Sequence, residues 1–208
     1  MQLAPGYRLF ALNDDTNYKP EGERGSGFSD DCMQWILEQL KDAQEQDQYV
    51  IAMTHNPMIA PSPFYAIIGK GDMQRNHETT RETFADAGLH CMLTGHTHVH
   101  NISSIVTKKG NVFYDIACGA MIGCPPVMRT ITFDPAHAKI DVDTTVIKEV
   151  PGLDTGGKPF DEYMKGFFFG MISEVIWAMG NDIDRLAEMT PAFSIPVSYT
   201  HLTLPTIA

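Results

Sequence analysis

The sequence predicts a mixed α/β fold, and three features support that class. In the first half, short apolar runs that fit buried strands alternate with polar and amphipathic stretches. After residue 100, four runs of alternating polar and apolar residues follow, separated by Gly and Pro. At 208 residues and 43% hydrophobic composition, the chain is long enough to bury a sizeable core. Strands separated by helices indicate βαβ units and a largely parallel sheet.

The first half predicts three strands and two helices. Residues 7–13, "YRLFALN", are typical of a buried strand. Residues 29–46 fit an amphipathic helix whose N-cap is Ser29, a residue type that accepts a hydrogen bond from the first turn. The remaining elements are predicted, in order, as a strand at 48–55, a helix at 77–87 and a strand at 89–95.

The second half predicts an antiparallel meander followed by a helical segment. The four strands of the meander are expected at 101–109, 111–117, 127–134 and 139–150. We expect residues 1–150 to form one domain, 151–159 ("PGLDTGGKP") to be a linker, and 160–196 to form a helical C-terminal appendage. The appendage is apolar nearly all round, which favours burial against a neighbour; it lacks the basic face of a helix that lies on a membrane.

In our interpretation, the last residues of the chain, 197–208, do not derive from a natural protein segment. Residues 197–206, "VSYTHLTLPT", resemble the in-frame translation of a transposase adapter used in sequencing libraries. We therefore predict that 197–208 is a non-native tail and leave His201 out of the functional interpretation. The alternative is a genuine β-rich tail.

The composition argues against several classes of partner. A formal net charge of −11 leaves no basic surface for nucleic acid or anionic lipid. The longest apolar stretch, 166–180, is shorter than the roughly 20 residues that a membrane span needs, and it contains Glu174. Free thiols are expected for the four cysteines, which show no paired spacing: Cys32, Cys91, Cys118 and Cys124.

Histidines follow two of the predicted strands. "IAMTHNP" carries His55, and "CMLTGHTHVH" carries His96 and His98 directly behind Gly95. Ligands collect at strand ends in open α/β sheets, and imidazole is a common metal ligand. Histidines two residues apart are compatible with one ion or with two ions. The spacing alone is compatible with a metal site and with a polar turn of solvated imidazoles, and it leaves the number of ions open.

The order of these parts resembles the second half of the calcineurin-like metallophosphoesterase family over residues 6–135. The resemblance implies a two-layered β-sandwich flanked by helices and two divalent ions (Mn, Fe or Zn) that hydrolyse a small phosphate ester. It implies that His55 and His96 bind one ion and that His98 binds the other. Some bacterial relatives with a helical appendage look exported, so the resemblance leans towards an exported or cell-surface bacterial protein, with a cytoplasmic one as the alternative.

The chain also departs from that family. The motifs DxH, GDxxD and GNH[DE], which supply its carboxylates and its catalytic histidine, are not found before His55. We therefore expect that the N-terminal half of the domain is missing, that no catalytic residue is present and that this chain is inactive alone. The alternative is a non-catalytic domain that keeps the fold and uses the histidines to bind a metal or another ligand.

Other polar residues near the motifs receive a structural interpretation. His100 continues the alternation but is left outside the ligand set. Asp72 and His77 could shape access to the site, yet a helix start with Asn76 as N-cap is preferred. Asp14 and Asp15 could support the site from the end of the first strand, where a simple turn is preferred.

Overall fold

The computed structural model describes residues 1–14, 26–63, 65, 69–134, 139–178 and 200–203. Several of the sequence predictions fall outside these residues: Asp15, the second half of the predicted appendage (179–196) and most of the predicted tail.

Nine strands and three α-helices make up the described part of the chain. The helices are α1 (Asp30–Glu45), α2 (His77–Asp86) and α3 (Phe160–Ala178). The strands are β1 (Gln2–Ala4), β2 (Tyr7–Ala11), β3 (Tyr49–Met53), β4 (Cys91–Thr94), β5 (Asn101–Val106), β6 (Val112–Ala117), β7 (Val127–Asp134), β8 (Lys139–Val146) and β9 (Thr200–Thr203).

The main sheet has six strands in the order β1-β2-β3-β4-β6-β5. Its four central strands, β2, β3, β4 and β6, run parallel, while β1 and β5 pair antiparallel at the two edges. The predicted parallel sheet is therefore confirmed. The three-residue strand β1 was not predicted, because so short a segment carries no periodic pattern.

The four predicted strands and two of their antiparallel pairs, β5–β6 and β7–β8, are confirmed, but the continuous meander is wrong because β6 and β7 lie in different sheets. Strands β5 and β6 belong to the main sheet, whereas β7 and β8 form a second sheet to which the backbone of β9 adds a third strand. Strand β6 has Phe113 and Ile116 fully buried on opposite faces. A strand that is apolar on both faces belongs inside a sheet, and here it pairs with β4 on one side and with β5 on the other.

The main sheet has a hydrophobic core on each face. Helices α1 and α2 cover one face, where Phe10, Ile36 and Phe84 pack together. The second sheet covers the other face, where Tyr7 and Ile51 meet Ile140 of β8. The alternation of side chains along each strand divides them between the two cores. The fold is thus an α/β structure with two β layers flanked by helices, as predicted.

Helix α1 follows its sequence signals closely. Ser29 is the N-cap, and its hydroxyl oxygen accepts a hydrogen bond from Cys32 N at 3.2 Å.

Helix α3 begins with Phe160 and Met164 buried, while Phe167 is exposed. No helix in the described part of the chain combines the length and apolar character needed to cross a bilayer.

Candidate functional site

The candidate site lies at the carboxyl edge of the main sheet. Because β2, β3 and β4 run parallel, the residues that follow them meet at this edge. Asp14 comes three residues after β2, His55 two residues after β3, and His96 two residues after β4. The fold therefore brings together the histidines of the two sequence motifs and adds a carboxylate.

His55 and His96 face each other. The distance between His55 Nε2 and His96 Nδ1 is 3.0 Å, and the ring planes meet edge to face at 76°. His55 is an exposed residue, and 35% of the His96 side-chain surface is accessible to solvent. Both histidines are thus accessible from solvent.

The backbone of this pair is tied together. Gly95 N donates to His55 O at 2.9 Å, which links the residue before His96 to His55 itself. A Cβ on Gly95 would lie 3.8 Å from that same carbonyl oxygen, an ordinary contact, so the glycine is not required by lack of space. Both His96 and His98 have left-handed backbone conformations, with φ of 58° and 54°.

His98 and His100 occupy different surroundings. His98 is exposed, and the left-handed backbone at His96 and at His98 itself breaks the alternation expected along a strand. His100 is half-buried between the sheets, where Arg129 Nε donates to its Nε2 at 2.8 Å and the Thr144 hydroxyl lies 2.8 Å away. Burial and then the Arg129 charge lower the His100 pKa to about 4. A nitrogen that accepts from a guanidinium is not available to a metal ion, and the exclusion of His100 from the ligand set stays a prediction.

Asp72 approaches the pair from the other side. Its Oδ1 lies 3.6 Å from His96 Nε2, the ring nitrogen that does not face His55. Asp72 belongs to a turn at Gly69–Asp72 and not to helix α2, which begins at His77. Asn76 takes the N-cap position but makes no side-chain capping bond. The predicted helix start at 77 with Asn76 as N-cap is confirmed, and Asp72 lies before the helix.

The facing nitrogens lie at hydrogen-bond distance from each other, and their spacing also suits two of the ligands of a metal ion. Two nitrogens bound to one zinc ion at about 2.0–2.1 Å lie about 2.9–3.4 Å apart for angles between a right angle and the tetrahedral angle. The observed 3.0 Å between His55 Nε2 and His96 Nδ1 falls in that range. Among the described residues, no group of three or more His, Cys, Asp or Glu side chains is placed to hold an ion together.

Comparisons with known proteins give little further information. No family model and no curated protein matches the chain. Among solved structures, the chain is similar to a dimetal phosphatase from Danio rerio, with a TM-score of 0.43 and 18% identity. The match covers 57% of this chain and 36% of that chain, so it spans about a third of the phosphatase. Similarity at this level assigns neither family nor activity.

Two buried carboxylates, Asp14 and Asp115, hold the loop that carries His55; the sequence favoured a turn role for Asp14 and did not identify Asp115. Asp14, only 1% exposed, accepts from the backbone of His55 and Asn56, so it is more than a turn residue. Asp115, also 1% exposed, accepts from Met58 N at 2.7 Å, Ile59 N at 2.9 Å and the Thr94 hydroxyl at 2.5 Å. An acidic residue inside the apolar run of β6 is the signal that could have revealed Asp115.

The cysteines contribute no second site. All four are free thiols. Burial raises the pKa of Cys91 to about 12, so this thiol stays protonated in the core. Burial also raises the pKa of Cys118, which lies after β6. Neither cysteine has the low pKa that marks a reactive thiolate.

Proposed function

We propose that this chain carries part of the metal site of a phosphoesterase that hydrolyses phosphomonoesters or phosphodiesters with two divalent ions. One observation carries the proposal. The histidines of the "THNP" and "GHTH" motifs end neighbouring parallel strands, and their ring nitrogens face each other at 3.0 Å. The motif order supports the reaction class, and the facing nitrogens support metal binding.

The residues have separate tasks in this proposal. His55 and His96 bind one ion through their facing nitrogens, and the exposed His98 binds the second ion. When bound, two divalent ions supply Lewis acidity for phosphoryl oxygens and lower the pKa of a water near them. The loops after β3 and β4 orient the imidazoles, because Gly95 N holds the carbonyl of His55. A small phosphate ester is the substrate.

The remaining ligands lie outside this sequence in the same proposal. The carboxylate motifs and the catalytic histidine of the resembling family do not precede His55 here. Imidazoles without a bridging carboxylate hold one ion but do not assemble a catalytic pair. We therefore expect the 208-residue chain to bind metal without turnover.

The test compares this chain with a version extended upstream along its own reading frame. If the extension carries the DxH, GDxxD and GNH[DE] motifs, Mn²⁺-dependent hydrolysis of bis-p-nitrophenyl phosphate should appear with it. In the extended protein, His96→Ala should abolish the rate and lower the metal content. His90→Ala is the matched control, because His90 lies at the opposite end of β4 and its Nδ1 contacts Val112 O.

Three outcomes would contradict the proposal. Turnover by the 208-residue chain would refute the proposal that the remaining metal ligands lie outside this sequence. Full rate and metal content in extended His96→Ala would refute that ligand assignment. An extended frame without the three motifs would favour a non-catalytic metal-binding domain.

A further inference from the structure

Asp14 has an unusual set of partners for a residue in a loop. Its carboxylate is 1% exposed and accepts three hydrogen bonds from two consecutive residues. His55 N lies 3.3 Å from Oδ1, while Asn56 N and Asn56 Nδ2 lie 2.9 Å and 3.2 Å from Oδ2. All these donors belong to the turn that presents the His55 imidazole. The carboxylate therefore acts on the position of that turn.

Asp14 is itself held in place. Leu12 N donates to Met53 O at 2.8 Å, which extends the pairing of β2 with β3 beyond the strand ends. Gly27 N donates to Asp14 O at 2.9 Å from the chain that leads into α1. The carboxylate thus has a fixed position relative to the end of β3.

His55 is consequently held on both sides of its peptide backbone. Its N–H donates to Asp14, and its carbonyl accepts from Gly95, the residue before His96. A continuous series of hydrogen bonds links Asp14, His55 and the chain that carries His96. The distance between the two ring nitrogens depends on this series, because rotation of the His55 backbone would swing its imidazole away from His96.

We propose that Asp14 is a positioning residue that holds His55 in the orientation needed to share an ion with His96. This inference rests on the proposed function, since it requires that the two histidines bind metal. Groups that orient metal-binding residues from behind typically change metal affinity by 10–100-fold when they are removed. Asp14 fits that role through the backbone of His55 rather than through its imidazole ring.

The experiment measures zinc affinity of the 208-residue protein by calorimetry in five forms: wild type, Asp14→Ala, Asp14→Asn, Asp86→Ala and His55→Ala. Asp14→Ala should weaken zinc binding about 10–100-fold. Asp14→Asn should be intermediate, because one amide oxygen can still accept from Asn56 while the amide nitrogen faces His55 N–H. The ¹⁵N shifts of the imidazoles give a second readout that responds to ring position.

Asp86→Ala is the matched control for lost stability. Asp86 also accepts hydrogen bonds from a loop, at 2.8 Å from the Thr107 hydroxyl and 2.9 Å from Asn111 Nδ2. This loop joins β5 to β6 at the opposite edge of the main sheet. The variant should lower the thermal midpoint and leave zinc affinity and the His55 and His96 shifts unchanged.

The outcomes separate the two proposals. Zinc affinity in both Asp14 variants equal to wild type, with His55→Ala strongly weakened, would overturn the role of Asp14 and leave the metal site standing. A wild-type zinc affinity that His55→Ala does not change would overturn the metal site and the role of Asp14 together. If Asp14→Ala fails to fold, Asp14→Asn decides alone: reduced affinity with shifted imidazoles supports the inference, and wild-type values overturn it.

Discussion

The histidines form two groups that differ in how the fold holds them. His55 and His96 come from different strands, face each other at 3.0 Å and remain accessible to solvent. His98 and His100 come from one short segment, yet one is exposed and the other is half-buried against Arg129. Which histidines lie close together is therefore determined by the pairing of the strands in the sheet and not by their separation along the chain.

The two groups also differ in what lies behind them. Buried carboxylates, Asp14 and Asp115, hold the loop after β3 through its backbone N–H groups. At His100 the partners are a guanidinium, a hydroxyl and the backbone N–H of Gly119, all of which contact the ring itself. The first arrangement fixes a backbone, and the two imidazoles that it presents contact each other through His55 Nε2 and His96 Nδ1. The second uses the imidazole as a structural acceptor between the sheets.

The largest expected effect comes from removing the Asp115 carboxylate, which holds the loop behind His55. Asp115→Ala should lower the free energy of unfolding by about 3 kcal/mol, because two backbone N–H groups and a buried hydroxyl lose their acceptor. Urea denaturation measures this loss. A loss within about 0.5 kcal/mol would show that the carboxylate does not hold the loop.

Zinc binding should separate the two groups next. His96→Ala should weaken zinc binding to the 208-residue protein about 100-fold, which corresponds to about 2.7 kcal/mol. His100→Ala should change the affinity less than about threefold, because the His100 ring already accepts from Arg129. Calorimetric titration measures both. Equal losses of zinc affinity in the two variants would contradict the proposal that His96 binds the ion and His100 does not.

Stability should reveal the role of His100. His100→Ala should lower the free energy of unfolding by about 1–2 kcal/mol, because the half-buried Arg129 loses an acceptor. His100→Gln, which retains an acceptor oxygen, should recover part of that loss in the same urea titration. An unchanged stability in His100→Ala would mean that the guanidinium finds another partner.

The smallest effect is a pH dependence at Asp115. Burial raises the pKa of this carboxyl above its ordinary value despite the hydrogen bonds that it accepts. A raised pKa in the folded state contributes stability that is fully present below the ordinary carboxyl pKa, about 4, and is lost as pH rises through the folded pKa.

Asp115→Asn cannot titrate and should keep all three contacts, since its amide can donate to the Thr94 hydroxyl. Its stability relative to wild type should therefore increase as pH rises from 4 to 7, as urea titrations across that range would measure. The opposite trend would show that the hydrogen bonds outweigh burial.

Local signals made part of the fold predictable. Helix α1 begins at Asp30, one residue after the predicted cap. This start was predictable because the Ser29 side chain accepts a hydrogen bond from Cys32 N, which lies in the first turn of the same helix. The partition of β6 and β7 into different sheets was not predictable, because an alternating pattern defines the faces of a strand but not its neighbours. That choice depends on β4, which lies more than fifteen residues earlier in the chain.

The site follows the same division. The proximity of His55 and His96 could be predicted, because each follows an apolar run and these runs form neighbouring parallel strands. Asp14 was recognised as a residue at the same edge, but its hydrogen bonds reach a loop more than forty residues away. No pattern within a single segment reports such a contact.

The left-handed backbone at His96 and His98 has a consequence for how the protein balances stability against its site. A non-glycine residue in this conformation costs about 1–2 kcal/mol relative to the right-handed region, and glycine adopts it freely. Glycine at either position would therefore relax the turn, yet it would remove an imidazole. The turn is maintained at the expense of folding free energy, so a variant selected only for thermal stability would tend to lose these side chains first.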